Sequence, residues 1–216
     1  NLTEKLISFI SDTNIELNKK AIATLGEYLF FAATQVEGYV FAMMDSFAVG
    51  CVSITGQNYG AKNIPNMKKS YLYCFIWNAI FWAICLVFCL TFPFELLSIF
   101  ITESEGIIVE NALLAGRERL YLMVITYILD GLMDINGCYL RGMKHSATPA
   151  IVTIIGCTGL RVLFLLTIFR MEYFHTIVWL YAAFPISWTL VNIAYIPILT
   201  IIQKKTFAKI NNELAL

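Results

Sequence analysis

The chain has 216 residues, of which 59% are hydrophobic and 14% are charged, and its formal net charge at pH 7 is zero. Soluble domains are typically about 45–50% apolar and about 25% charged, so this composition excludes an ordinary soluble domain and indicates a membrane protein. The zero net charge provides no overall attraction to nucleic acid or to anionic substrates. The six cysteines form no Cys-x-x-Cys pair and have no metal-ligand spacing to a histidine, so we expect packing cysteines and no metal site.

Five apolar stretches dominate the chain after a polar, weakly amphipathic lead-in at residues 1–20, which we expect to be interfacial or poorly ordered. A helix needs about 20 mainly apolar residues to cross the hydrocarbon core, and only helices satisfy their own backbone there. The predicted fold class is therefore all-α, a polytopic membrane helix bundle at residues 21–205 with a tail at 206–216. The predicted spans lie at roughly 28–56, 70–101, 113–140, 148–170 and 174–203.

The charges of the connecting segments predict the orientation of the bundle. Loops 57–69 and 141–147 and the C-terminal tail are basic, whereas loops 102–111 and 170–175 are less basic. Basic loops usually face the cytoplasm. We therefore expect a multi-pass protein of the plasma membrane with a cytoplasmic C-terminus. Because an odd number of helices begins outside without a signal peptide, we also expect upstream helices.

Two aspartates lie one helical turn apart inside the third predicted span. Asp130 and Asp134 sit in an apolar run that ends at Arg141. At 1.5 Å per residue, Asp130 is roughly 16 Å from that boundary and close to the middle of the membrane. A carboxylate costs several kcal/mol there and usually faces a bundle interior or a water-filled path. We predict that this pair exchanges a proton or a monovalent cation, since two such close carboxylates do not readily ionise together.

Other polar residues within the spans are candidates for the same cavity. Gln35 and Glu37 lie in the first span, and Asp45 follows eight residues after Glu37 on roughly the same side. Arg161 lies in the middle of the fourth span and needs a carboxylate partner, for which we expect Asp134 first and Glu37 second.

Three asparagines within the spans are interpreted mainly as interhelical hydrogen-bonding residues. They are Asn78, Asn136 and Asn192, and Asn136 is also a candidate cavity residue. Pro149 is expected to begin a helix, whereas Pro185 and Pro197 predict kinks in the last one.

Several short motifs occur in an order and spacing that resemble one transporter family. They are Gln57-Asn-Tyr-Gly-Ala61 after a membrane helix, Leu140-Arg-Gly-Met143 before Pro149, Gln35-Val-Glu-Gly38, and Tyr181-Ala-Ala-Phe-Pro-Ile-Ser-Trp188. Together they resemble the multidrug and toxic compound extrusion (MATE) transporters over about residues 21–205. The loop residues that carry the resemblance are Gln57, Asn58, Gly60, Ala61, Arg141 and Gly142.

The resemblance implies an architecture and a set of partners. Members have twelve helices in two lobes, and this chain is similar to helices eight to twelve of the C-terminal lobe. An aspartate about three turns before the arginine-glycine pair is implicated in cation coupling in some members; Asp130 matches it, and Asp134 matches an acidic position in a subset. The expected partners are membrane lipid, a small organic substrate, and a missing N-terminal lobe or second chain. No cofactor is expected besides the coupling ion, H⁺ or Na⁺.

The resemblance implies a cation-coupled antiporter that exports organic, often cationic, compounds. It also implies that the protein is not an enzyme. One alternative is a lipid-linked oligosaccharide flippase of the same superfamily, which basic cavity residues would favour; Arg161 is the candidate. An intramembrane aspartyl protease needs carboxylates from separate helices and a Gly-x-Gly-Asp element, which the sequence lacks. A non-catalytic membrane scaffold is the remaining alternative.

Overall fold

The structure, a computed structural model, describes residues 31, 33–99, 107–171 and 177–215. Within these ranges it is helical and contains no strand, which confirms the all-α prediction. A π-helical turn spans Ile154–Gly159, and a 3₁₀ turn spans Ile168–Arg170. The helices are α1 (Ala33–Gly60), α2 (Ile64–Thr91), α3 (Pro93–Ser98), α4 (Ile107–Gly142), α5 (Ala147–Thr153), α6 (Leu160–Leu166) and α7 (Ile177–Leu214).

Within the described residues, five helical stretches are long and apolar enough to cross a membrane, as the sequence predicted. They are Ala33–Gly60, Ile64–Thr91, Arg119–Gly142, Ala147–Arg170 and Tyr181–Leu214.

Some helices extend beyond the predicted spans into polar sequence. The helix α2 begins at Ile64 rather than near residue 70, and α7 continues through most of the segment 206–216, which had been assigned to a tail. Helical hydrogen bonding does not end where apolar sequence ends, so a reading based on hydrophobic length gives shorter helices. The lead-in at residues 1–20 lies outside the described part of the chain.

The chain divides into two compact units. Unit 1 comprises residues up to Gly38 together with Phe88–Tyr121, and unit 2 comprises Tyr39–Val87 and Leu122–Leu216. In the described part of unit 1, the guanidinium of Arg117 lies 5.6 Å from the centre of the Phe94 ring.

Within unit 2, α1, α2 and α4 approach closely at one point in mid-span. The side-chain amide of Asn78 donates a hydrogen bond of 3.0 Å to the backbone carbonyl of Met44. Gly131 of α4 packs directly against these two side chains, because a Cβ atom at that position would overlap Asn78 Oδ1 and come within 2.8 Å of Met44 Cε. A small residue therefore allows this close packing, as is common between membrane helices.

A second close contact joins α5–α6 to α7. Gly156 lies in the π-helical turn, and a Cβ atom there would overlap the side chain of Val191 on α7. The amide of Leu160, at the end of this turn, reaches back five residues to the carbonyl of Ile155. The helix α7 itself continues without interruption through Pro185 and Pro197, where kinks were predicted.

Unit 2 has one basic end, at which the two basic loops and the C-terminal part of α7 meet. Lys62 forms an ion pair of 3.1 Å with Glu213, and Nε2 of His145 lies 3.4 Å from the Thr206 hydroxyl. The ammonium group of Lys144 lies 5.8 Å from the centre of the Tyr59 ring. The loops predicted to share one side of the membrane therefore lie together.

Candidate ion-binding site

The two aspartates of α4 lie in the most buried of the five crossing segments. In its most apolar stretch of 18 residues, 56% of the residues are buried, against 11–28% in the other four segments. Asp130 is 6% exposed and Asp134 is half-buried. Asp45 of α1 lies near enough for its charge to interact with both. The charges of three carboxylates from two helices therefore interact with one another, and close buried carboxylates do not readily ionise together.

The arginine in the middle of the fourth predicted span differs from the expectation in its partners. Arg161 donates a hydrogen bond of 3.0 Å from Nε to the hydroxyl of Ser187, and its guanidinium lies 4.2 Å from the centre of the Phe184 ring. Its charge interacts with that of Asp130. Among the described residues it forms no ion pair within 4.0 Å with Asp134, so the preferred pairing was wrong. A hydroxyl and an aromatic face on α7 take much of the role that was expected of a carboxylate.

Glu37, the second expected partner of Arg161, instead pairs with Arg119 in unit 1. The two side chains are 5% and 9% exposed, respectively. Gln35 lies half-buried two residues before Glu37. The sequence contained the signal for this pair, since Arg119 stands at the start of a long apolar run and an arginine there requires an acidic partner.

Asn136 links three helices beside the aspartates. Its Oδ1 accepts a hydrogen bond of 2.7 Å from the hydroxyl of Tyr71, and its Nδ2 donates one of 3.1 Å to Asn192 Oδ1. The amide of Asn192 in turn donates to the backbone carbonyl of Leu129, at 2.7 Å. The interpretation of these asparagines as interhelical hydrogen-bonding residues is therefore confirmed, and Asn136 acts here as a structural link.

Comparison with family models gives one match. The MatE family model matches residues 20–167, which is more than half of the chain and includes both aspartates and the link through Asn136.

The chain belongs to the MatE family. No curated protein matches, and no solved structure matches. MatE proteins are membrane efflux transporters and not enzymes, so this chain is part of a multi-pass transport protein.

In this MatE chain the residues of the two loop motifs lie together at the basic end. A Cβ atom on Gly142 would be 2.7 Å from Thr55 Cβ, so α4 ends against the last turns of α1. Near the end of α1, the side-chain amide of Asn58 donates a hydrogen bond of 2.8 Å to the backbone carbonyl of Ile54. The backbone amide of Ala61 donates one to the carbonyl of Gln57. Gly60 and Arg141 are exposed nearby in the same two segments.

The described residues contain no group of three or more His, Cys, Asp or Glu side chains placed to hold a metal ion. None of the six cysteines forms a disulfide, and five of them are buried. Their surroundings are those of packing residues.

Proposed function

We propose that this chain forms part of a cation-coupled antiporter that exports organic, often cationic, compounds. The observation that carries the proposal is the convergence of Asp45, Asp130 and Asp134 from α1 and α4 in the interior of a MatE-family bundle. Intramembrane carboxylates usually mark an ion path. In the proposed mechanism, H⁺ or Na⁺ binds at Asp130 and Asp134 in one conformation more tightly than in the other. Exchange follows from that difference in affinity.

The mechanism requires a second half of the transporter. Secondary transporters of this kind move two lobes around a site near the middle of the membrane. We propose that an N-terminal lobe, either upstream in the same protein or on another chain, closes the cavity in which the organic compound binds. We also propose that the basic end of unit 2 faces the cytoplasm, as its lysines favour.

The direct test uses the full-length protein in proteoliposomes with a fluorescent organic cation and an imposed ion gradient. In the variant Asp130→Asn, we expect the imposed ion gradient to lose most of its effect on transport, because the neutral amide no longer binds the coupling ion differently in the two conformations. Glu213→Gln is the matched control, because it also removes one carboxylate charge, but at the exposed basic end. Unchanged transport with unchanged ion dependence in Asp130→Asn would remove this residue from the mechanism.

The flippase alternative depends on Arg161, which would have to bind an anionic headgroup. Its guanidinium already contacts Ser187, the ring of Phe184 and the charge of Asp130. These contacts favour a positioning role within the bundle, so we place the exporter first.

A further inference from the structure

A groove of about 660 Å³ runs between α1 and α2 within unit 2. Away from the basic loops, it is lined by apolar and aromatic side chains that include Phe47, Tyr73 and Trp77. Tyr73 and Trp77 are each more than half exposed, at 56% and 58%. None of the aspartates of the candidate ion site lines this groove. Tyrosine and tryptophan side chains on a membrane bundle are enriched at the level of the lipid headgroups.

The end of the groove near the basic loops is polar. Asn58, Asn66 and Lys69 line it there, at the end of α1 and in the first turns of α2. At 1.5 Å per residue, Lys69 is about 12 Å along the helix axis from Trp77. The groove is therefore amphipathic along its length, with amide and ammonium groups at one end and apolar rings at the other.

Lys69 differs from the neighbouring lysines in its contacts. Lys62 pairs with Glu213, Lys68 lies 5.3 Å from the centre of the Phe207 ring, and Lys144 lies against Tyr59. Lys69 forms no ion pair within the described part of the chain and lines the groove instead. Its positive charge is available to an anion at this position.

We propose that this groove binds one anionic phospholipid, with the phosphate at Lys69, Asn58 and Asn66 and an acyl chain along Phe47, Tyr73 and Trp77. Charge complementarity selects this occupant, since basic pockets between membrane helices bind anionic headgroups. An organic cation would place its charge beside the ammonium of Lys69 and is disfavoured. This site is independent of the proposed transport function, because it shares no residue with the candidate ion site.

The first experiment measures lipid binding to the purified full-length protein by native mass spectrometry in detergent. Phosphatidylglycerol is compared with phosphatidylcholine carrying the same acyl chains. We expect tighter binding of phosphatidylglycerol and a weakening of roughly fivefold in Lys69→Gln. Lys68→Gln is the matched control, because it removes the same charge one residue away, where the side chain lies against Phe207 outside the groove. We expect Lys68→Gln to leave the affinity for phosphatidylglycerol unchanged.

A second variant blocks the apolar part of the groove. Gly50 lines the groove, and a Cβ atom added there would meet no atom within 4 Å, so we expect the side chain of Gly50→Leu to extend into the groove. Gly38→Leu is its control, since Gly38 also lies on α1 with open space around it but outside the groove. We expect Gly50→Leu to reduce phosphatidylglycerol binding and Gly38→Leu to leave it unchanged, with equal melting temperatures.

Three results would overturn the proposal. The first is equal affinity for phosphatidylcholine and phosphatidylglycerol, and the second is an equal effect of Lys68→Gln and Lys69→Gln. The third is full phosphatidylglycerol binding in Gly50→Leu. Binding of a fluorescent organic cation in the groove that persists in Lys69→Gln would assign the groove to a different ligand.

Discussion

The guanidinium of Arg119 donates two hydrogen bonds to the carboxylate of Glu37, from Nε at 2.9 Å and from Nη2 at 3.0 Å. The two residues are 82 positions apart in the sequence, and their pairing connects the start of α1 to α4 within unit 1. A two-point contact between planar groups fixes both distance and orientation, which a lysine could not do. Both groups are nearly out of solvent, at 9% and 5% exposure, so water hydrates neither charge well.

Removing one partner of this pair should therefore be costly. We expect Glu37→Gln to lower the free energy of unfolding by about 3–5 kcal/mol, because it leaves the buried Arg119 charge without its carboxylate. Removing both charges in Glu37→Leu with Arg119→Met should cost less than Glu37→Gln alone. Thermal denaturation of the full-length protein in detergent measures the three variants.

The exposed pair Lys62–Glu213 serves as the control for the buried one. Its side chains are 38% and 43% exposed, so Lys62→Gln should cost less than about 1 kcal/mol. Equal losses at the two pairs would contradict the argument from burial.

Gly131 should tolerate no side chain. A Cβ atom there would overlap Asn78 Oδ1 and crowd Met44 Cε, so Gly131→Ala must displace these two side chains. We expect a loss of about 1–3 kcal/mol, typical of overpacking, despite the better helix propensity of alanine. Gly50→Ala is the comparison, since its added methyl group meets open space. A melting temperature for Gly131→Ala equal to that of Gly50→Ala would show that the helices are not this close.

The hydrogen bonds of Asn136 should contribute modestly. We expect Asn136→Leu to destabilise the protein by roughly 0.6–1.7 kcal/mol, in line with interhelical hydrogen bonds in other membrane proteins. Tyr71→Phe removes only the donor to Asn136, and its effect should largely disappear in the Asn136→Leu background. Fully additive effects of the two changes would argue against a direct bond.

The proposed orientation makes a labelling prediction. Lys205 is exposed near the end of α7, and five of the six native cysteines are buried, so Lys205→Cys should introduce the dominant accessible thiol. We expect a membrane-impermeant maleimide to label it in inside-out vesicles and not in intact cells. Labelling in intact cells would place the basic end outside.

The helices could be predicted from the sequence because crossing a membrane imposes a length and an apolar composition that few other folds need. The same argument identified Asp130 and Arg161 as residues that need polar surroundings, because a buried charge is costly at any position in the hydrocarbon. The helix ends could not be predicted as well, because α7 continues to Leu214 through charged sequence, where the requirement to cross a membrane does not apply.

The partners of the buried charges could not be predicted with the same success. Periodicity places residues on a face of their own helix, but it does not fix how neighbouring helices are rotated. Arg161 was therefore assigned to Asp134, whereas the structure gives it Ser187 and Phe184. Glu37 likewise binds Arg119 instead of Arg161, because helix rotation decides which of the two arginines it meets.

The π-helical turn Ile154–Gly159 has a consequence for the length of the fourth crossing. Because its hydrogen bonds reach back five residues instead of four, the turn holds one more residue than an α-helical turn between the same flanks. Loss of one residue within it can be absorbed by a return to α-helical winding, which leaves Arg161 directed at Ser187. A residue lost from α6 after Arg161 has no such turn to absorb it and would rotate the rest of that helix by about 100° relative to Arg161. Single-residue deletions along this crossing should therefore be tolerated at the wide turn and harmful just after it.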